Sequence, residues 1–461
     1  MDPVLDFSFR LSNQVVPTNS GPRLIYALAE VFGEQEAQSL PTNLGFIIDT
    51  SESMRIRLVT ENQFMELIQN GLAHEVITDG VPAYQISSLP DDWTIQLPRR
   101  IDFVADALRL ASGFLRDQDH FCLIAFASQA KVLVQQISGR ERDKLYQAAM
   151  ELESLKLGDE THLAEGLEAA FIETQRSPGK EYATRLILLT DGHTRNVREC
   201  YEQAQKARQV GVKLTTLGIG AEFNEDLLIP LADLTGGNAY YAETPDKIST
   251  AFQQELGSAL KISYRNVEIK LQLGEGIGLR RVYRVLPQLG DFDPGPEMDG
   301  SYALLLGDFN PGSPISLLLE LVVAEGPPGP HRLAQTMLAW DSLDGTADRH
   351  RKREDVMIER SDSMTTRLDQ TVMDIVEKVG AFKMGTKALE TAHLTATGEN
   401  PVEKSEATIR LRQAATRLLD MGEASLAGLM FQQAEVLESK GTLDSEEAKK
   451  LRYETRRLTQ R

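Results

Sequence analysis

Between residues 41 and 258, apolar runs alternate with segments of helical spacing. "LGFIID" (44–49), "CLIAFAS" (122–128), "KVLVQ" (131–135), "RLILLTD" (185–191) and "KLTTLGIG" (213–220) predict strands. Ile101, Val104, Ala105, Leu108, Ala111 and Leu115 recur at i, i+3, i+4 and i+7, the signature of one buried helical face. Further helices are predicted through "RDKLYQAAMELES", "LAEGLEAAFIETQ", "VRECYEQAQKARQVG", "NEDLLIPLADLTGG" and "KISTAFQQELGSAL". The strand runs are continuously apolar rather than alternating, so most are parallel and covered by helices on both faces. "CLIAFAS" and "KVLVQ" follow too closely for a crossover and read as an antiparallel hairpin. The fold class is α/β, a doubly wound, mostly parallel sheet whose ligands bind at the C-terminal ends of its strands.

The flanks follow other periods. Two strand-like pieces, "VLDFSFRLS" and "RLIYALAEVF", occupy residues 1–40, and five more strands punctuated by Gly, Pro and Asp occupy 259–348. Together they predict a β-sandwich built from both sides of the α/β domain, which spans 41–258. "DRHRKRED" reads as a charged linker, and residues 356–461 as a helical domain. There Leu411, Ala415, Leu418, Leu419, Leu426, Leu429, Met430, Ala434 and Leu437 keep helical spacing. Those leucines serve an internal core or a homo-oligomer contact.

Composition narrows the function classes. The chain has 461 residues and a net charge of -19. Residues 350–461 balance 19 basic against 19 acidic side chains, so the excess acid lies before them. Such a body repels nucleic acid and anionic membrane surfaces, and suits cations or basic partners. No apolar stretch reaches membrane-spanning length, and "MDPVLDFSFRLSN" has neither the basic start nor the apolar core of a signal peptide. The expected location is the cytoplasm, and Cys122 and Cys200 are expected to be reduced.

The candidate chemistry sits where the first apolar strand ends. Asp49, Ser51 and Ser53 alternate after "LGFII", so an extended loop would point all three oxygens one way. One carboxylate and two hydroxyls are hard donors that suit Mg²⁺, with Mn²⁺ or Ca²⁺ as alternatives. They cannot fill a six-oxygen shell. Asp191, closing the strand "LILLTD", and Thr161, in "GDETHLAEGL" ahead of a helix, can reach the same sheet edge.

This set resembles the metal-ion-dependent adhesion site (MIDAS) of von Willebrand factor type A (VWA) domains, a Rossmann-like family. The resemblance covers about residues 41–258, and "LTTLGIGAEFNEDLLIPLADLTGGNAYY" extends it. It implies that Ser51 and Ser53 bind metal directly, Thr161 directly or through water, and Asp49 and Asp191 mainly through water. It also implies an open coordination position for an Asp or Glu of a protein partner. Intracellular relatives often serve ATPases of the AAA class. The overall order resembles bacterial multidomain members. Three features depart from the family pattern. Glu52 stands where many intracellular members have Gly. Asp159 and Glu160 add charge to the rim, and His193 lies beside it. An insert, 55–99, separates the Asp49 loop from the first helix; it is either a lid or contact surface, or a passive elaboration. Trp93 within it is either a binding anchor or packing.

No phosphate loop, dinucleotide fingerprint or nucleophile elbow occurs in the chain. The expected function is a non-enzymatic, Mg²⁺-dependent adaptor. A metal-dependent hydrolase and a structural component with a purely stabilising metal are the alternatives.

Overall fold

A computed structural model describes residues 5–460 apart from 19–20, 34–38, 57–60, 79–80, 87–96, 177–181, 193, 195, 221–222, 243, 297–298, 342–348, 363–367, 397–400 and 444. Its centre is a six-stranded sheet. The strands run in the order Ala239–Ala242, Lys213–Ile219, Ala183–Thr190, Thr42–Asp49, His120–Phe126, Ala130–Ser138. All neighbours are parallel except the last pair, an antiparallel hairpin. Thr42–Asp49 is buried at every position. Leu44, Phe46 and Ile48 enter the core beneath the helices Arg100–Phe114, Asp143–Leu152 and Pro245–Ala259. Ile47 enters the opposite core, beneath Leu163–Thr174, Val197–Gln209 and Glu225–Thr235. Burial on both faces is why the run is continuously apolar, each such side chain contributing roughly 1.5–3 kcal/mol.

Two sheets, antiparallel except for the short edge strand Val15–Val16, form the sandwich. One contains Leu5–Leu11, Arg23–Gly33, Ile315–Val323, Ile277–Leu286 and Gly290–Phe292 in that order. Arg23–Gly33 pairs along its length with Ile315–Val323, so chain from before the α/β domain is joined to chain from after it. The second sheet is built around Tyr264–Leu273, Tyr302–Phe309, Gly329–Asp341 and Arg349–Arg360. Phe7, Ile25, Leu271, Leu304, Leu319 and Leu338 fill the space between the two sheets.

Four helices follow, Gln370–Ala396, Pro401–Asp420, Ala424–Lys440 and Ser445–Arg456. Their core includes Leu28, Tyr283 and Leu318 from the outer face of the five-stranded sheet, so Leu411, Leu418, Leu426 and Leu437 serve an intramolecular interface, whereas Leu419 is exposed. Tyr453 of the last helix packs on Phe223 and Tyr241 of the α/β domain. That helix therefore touches all three layers. Among the described residues, no helix is long and apolar enough to cross a membrane.

Two expectations need correction. The charged segment "DRHRKRED" is not a linker: Arg349–Arg360 is a strand paired antiparallel with Gly329–Asp341, with one register shift between Arg332 and Ala334. Only Val356, Ile358 and Arg360 of it are buried. Its outer neighbour is the two-residue strand Val15–Val16. A near-edge strand with one wet face is where Lys and Arg block unwanted pairing, and there charge hides the strand signal. Ala239–Ala242 was not expected as a strand, yet it forms the far edge of the central sheet. Cys122 and Cys200 are buried and free.

Candidate metal centre

The last residue of the central strand opens the site. Asp49 is fully buried. Its Oδ1 accepts the Ser51 backbone N–H at 2.9 Å and its Oδ2 accepts the Thr190 hydroxyl at 2.5 Å. The chain after Ser51 is not extended: Glu52–Arg55 forms one 3₁₀ turn, closed by the Met54 N–H donating to the Ser51 carbonyl at 3.2 Å. The turn, rather than strand alternation, brings the two serines together, with their Oγ atoms 3.1 Å apart. Ser53 Oγ then donates to Asp191 Oδ1 at 2.7 Å.

Asp191 directly follows Ala183–Thr190, the immediate neighbour of the Asp49 strand. Adjacent parallel strands ending level place both carboxylates over one sheet edge. Gly192 opens the third side. A Cβ there would lie 2.9 Å from Thr161 Oγ1 and 3.6 Å from Asp49 Oδ2, so only a residue without a side chain lets Thr161 approach. The Thr161 loop is anchored by the His162 N–H, which donates to the Ala127 carbonyl at 2.8 Å. Asp49, Ser51, Ser53, Thr161 and Asp191 therefore meet at one edge.

Arg100 and Thr190 also belong to the site and were not anticipated. Arg100 is the first residue of its helix, and its Nη1 donates to Asp191 Oδ2 at 2.6 Å. Asp102 fixes that helix start by accepting the Arg99 backbone N–H at 2.7 Å. Arg100 thus balances Asp191, whereas among the described residues no cation is hydrogen-bonded to Asp49. Burial, and secondly the charge of Asp191, push the Asp49 carboxyl up to about 6, against the hydrogen bonds from Ser51 and Thr190.

The rim residues differ in fate. Glu52 and Asp159 are exposed. Glu160 is exposed too, but its carboxylate lies 3.1 Å from His162 Nε2. His193 and Trp93 lie outside the described residues. The insert contributes a helix, Glu61–Gln69, and a hairpin, Ala73–Thr78 with Val81–Ile86. Arg55 and Arg99, at its two ends, both donate to the Glu153 carbonyl, at 3.1 and 3.0 Å. The insert therefore leaves and re-enters the domain at one point beside the site.

The donor set fits a hard divalent cation: two carboxylates, two serine hydroxyls and a threonine hydroxyl, all oxygen. Among the described residues no group of three or more His, Cys, Asp or Glu side chains offers a metal site of another kind.

Comparison with known proteins agrees with the fold. The von Willebrand factor type A domain family matches residues 91–254. A family described as the Sll0103-like C-terminal alpha-helical domain matches residues 370–461. The chain is 24% identical to the uncharacterised Escherichia coli protein YfbK over 207 residues, 44% of this chain and 36% of YfbK. It is 26% identical to the uncharacterised Synechocystis protein sll0103 over 234 residues, 49% of this chain and 54% of that protein. The chain thus spans between about a third and a half of these curated relatives. A solved von Willebrand factor type A protein from Catenulispora acidiphila superimposes with a TM-score of 0.75 at 17% identity, covering 99% of this chain and 97% of that one. At that identity the likeness speaks for fold. The sheet order, the family match and the shared fold lead to one conclusion: this chain contains a von Willebrand factor type A domain, matched over residues 91–254.

Proposed function

We propose that the protein is a divalent-metal-dependent binding module that engages an acidic side chain of a partner protein. Asp49, Ser51, Ser53, Thr161 and Asp191 would hold the ion, with Mg²⁺ the preferred species. The carrying observation is the closure of the Asp49 loop on the neighbouring strand, Ser53 Oγ to Asp191 Oδ1 at 2.7 Å. It gathers five oxygen-bearing side chains at one edge, too few for a filled shell once water mediates some of them.

When bound, the cation supplies a Lewis-acidic position for an external carboxylate. The protein's own residues set how strongly. Arg100 offsets the charge of Asp191, and the remaining donors near Asp49 are neutral hydroxyls. Little negative charge is then left to quench the ion, which favours an anionic ligand. This supports binding over hydrolysis, for which a site usually presents several carboxylates. The exposed Glu52 and Asp159 beside it would discriminate against strongly acidic surfaces, so the partner's acid should stand alone or among basic residues.

The test is capture from lysate with the tagged full chain, in Mg²⁺ and in EDTA, beside a folded Ser51→Ala/Ser53→Ala variant. The expected result is a partner retained only by the unaltered protein with Mg²⁺. Partners indifferent to both metal and substitution would refute a metal-bridged contact.

A further inference from the structure

At the opposite end of the Ala183–Thr190 strand from the metal centre, two cations face each other. Arg185 pairs directly across the sheet with Lys213. Like charges at directly opposed positions repel, and here both are buried, at 7% and 6% exposure. Together with Arg284 they line a cavity of about 50 Å³ between the α/β domain and the sandwich. A buried water needs roughly 10–15 Å³ of such space. The cavity therefore accommodates a few waters or one compact oxyanion.

The hydrogen-bond inventory decides what the cavity suits. Two carboxylates, Glu255 and Asp308, also line it, but both are already engaged. Glu255 accepts from Thr215 at 2.8 Å, Asn238 at 2.9 Å and Tyr240 at 3.1 Å. Asp308 Oδ1 accepts the Asn266 N–H at 3.3 Å. Arg284 is committed to the Gln288 and Gly237 carbonyls and to Asp233. Lys213 reaches across the interface over Gly307, where a Cβ would meet its Cε at 2.7 Å, and donates to the Asp308 carbonyl at 2.9 Å. Gly307 has φ +71°, which suits glycine and keeps that path open. Arg185 differs: its Nε is buried with no hydrogen-bond partner among the described residues. A buried unpaired donor on a charged group is costly. Burial, and then the Arg185 charge, push the Lys213 ammonium down to about 7, against Asp308 and Glu255.

We propose that this cavity is a binding site for a compact oxyanion, of the phosphate or sulfate class, held by Arg185 and Lys213. Arg284 is already paired with Asp233, whereas among the described residues neither Arg185 nor Lys213 forms an ion pair with a carboxylate, so these two are the charges it would offset. The larger cleft of about 1140 Å³ at the junction of the three layers shares Lys213, Gly236, Phe292 and Leu305 with the cavity and gives the route in. The bound anion would tie the central sheet to the sandwich. Arg185 lies five positions before Thr190, roughly 17 Å from the metal centre along one strand, so the two sites are separate.

The test uses the full chain, metal-free, in a buffer without oxyanions. Phosphate is titrated calorimetrically, and thermal unfolding is followed at constant ionic strength against chloride. The expected result is saturable binding of one phosphate and a melting temperature that rises with it. At a hundred times its dissociation constant the folded-to-unfolded ratio should rise about a hundredfold. Arg185→Met should abolish both effects, and Lys213→Met should weaken both. Sulfate should compete with phosphate. Absence of saturable phosphate binding to the unaltered protein overturns the proposal whether or not the variants fold. Equal binding by folded Arg185→Met overturns it as well.

Discussion

Asp49 is buried for position rather than for stability. Its carboxylate lies at 0% exposure beside a second carboxylate, and its pKa is raised to about 6. A carboxyl raised in the folded state stabilises below its unfolded pKa and loses that contribution as pH rises through the folded value. Without metal, this residue should therefore cost stability progressively as pH rises from about 4 to 6, reaching roughly 3 kcal/mol and persisting above that range. Asp49→Asn should raise the melting temperature in EDTA at pH 7 and leave it nearly unchanged at pH 3.5, read by paired thermal unfolding curves. Equal shifts at both pH values would contradict the assignment. The residues of the site differ in how legible they were. Asp49, Ser51, Ser53 and Asp191 stood out because polar oxygens closing apolar strands are locally anomalous. Arg100 carried no signal: an arginine starting a helix is ordinary, and only the fold brings it to Asp191. Thr190 was hidden inside an apolar strand, although its hydroxyl fixes the Asp49 carboxylate.

Elements were legible where burial was symmetric. Strands covered on both faces read as continuous apolar runs, and helices with one dry face read by their spacing. The failures came from half-solvated or very short pieces. Arg349–Arg360 is a twelve-residue strand that reads as a linker, because its exposed positions are mostly charged. Ala239–Ala242 has four residues, too short to show a period. The Asp49 loop shows a related limit. Alternation of Asp49, Ser51 and Ser53 suggested an extended loop, yet the 3₁₀ turn Glu52–Arg55 achieves the same convergence. Sequence marked which oxygens meet but not the backbone that joins them, since both backbones suit the same residues.

At the scale of the molecule, one carboxylate joins the three layers. Asp233, on an α/β-domain helix, accepts from Arg284 of the sandwich at 2.8 Å and from Arg456 of the last helix at 2.9 and 2.5 Å. Arg284 and Arg456 are 6% and 3% exposed at their side chains. Removing the shared anion leaves two buried cations facing each other. Asp233→Ala should destabilise by about 3–5 kcal/mol, and Asp233→Ala/Arg456→Met by less, because one stranded charge is gone. A thermal shift within experimental error for Asp233→Ala would show that this carboxylate does not hold the layers together. No local pattern announces this junction, since its three members lie on elements far apart in sequence. The metal centre lies at the other end of the sheet, and a Mg²⁺ titration of the EDTA-treated full chain, followed by calorimetry, decides whether it binds the ion. One site is expected, lost in a Ser51→Ala/Ser53→Ala variant that keeps its circular dichroism spectrum. Undiminished binding by that variant, or none by the unaltered protein, would contradict it.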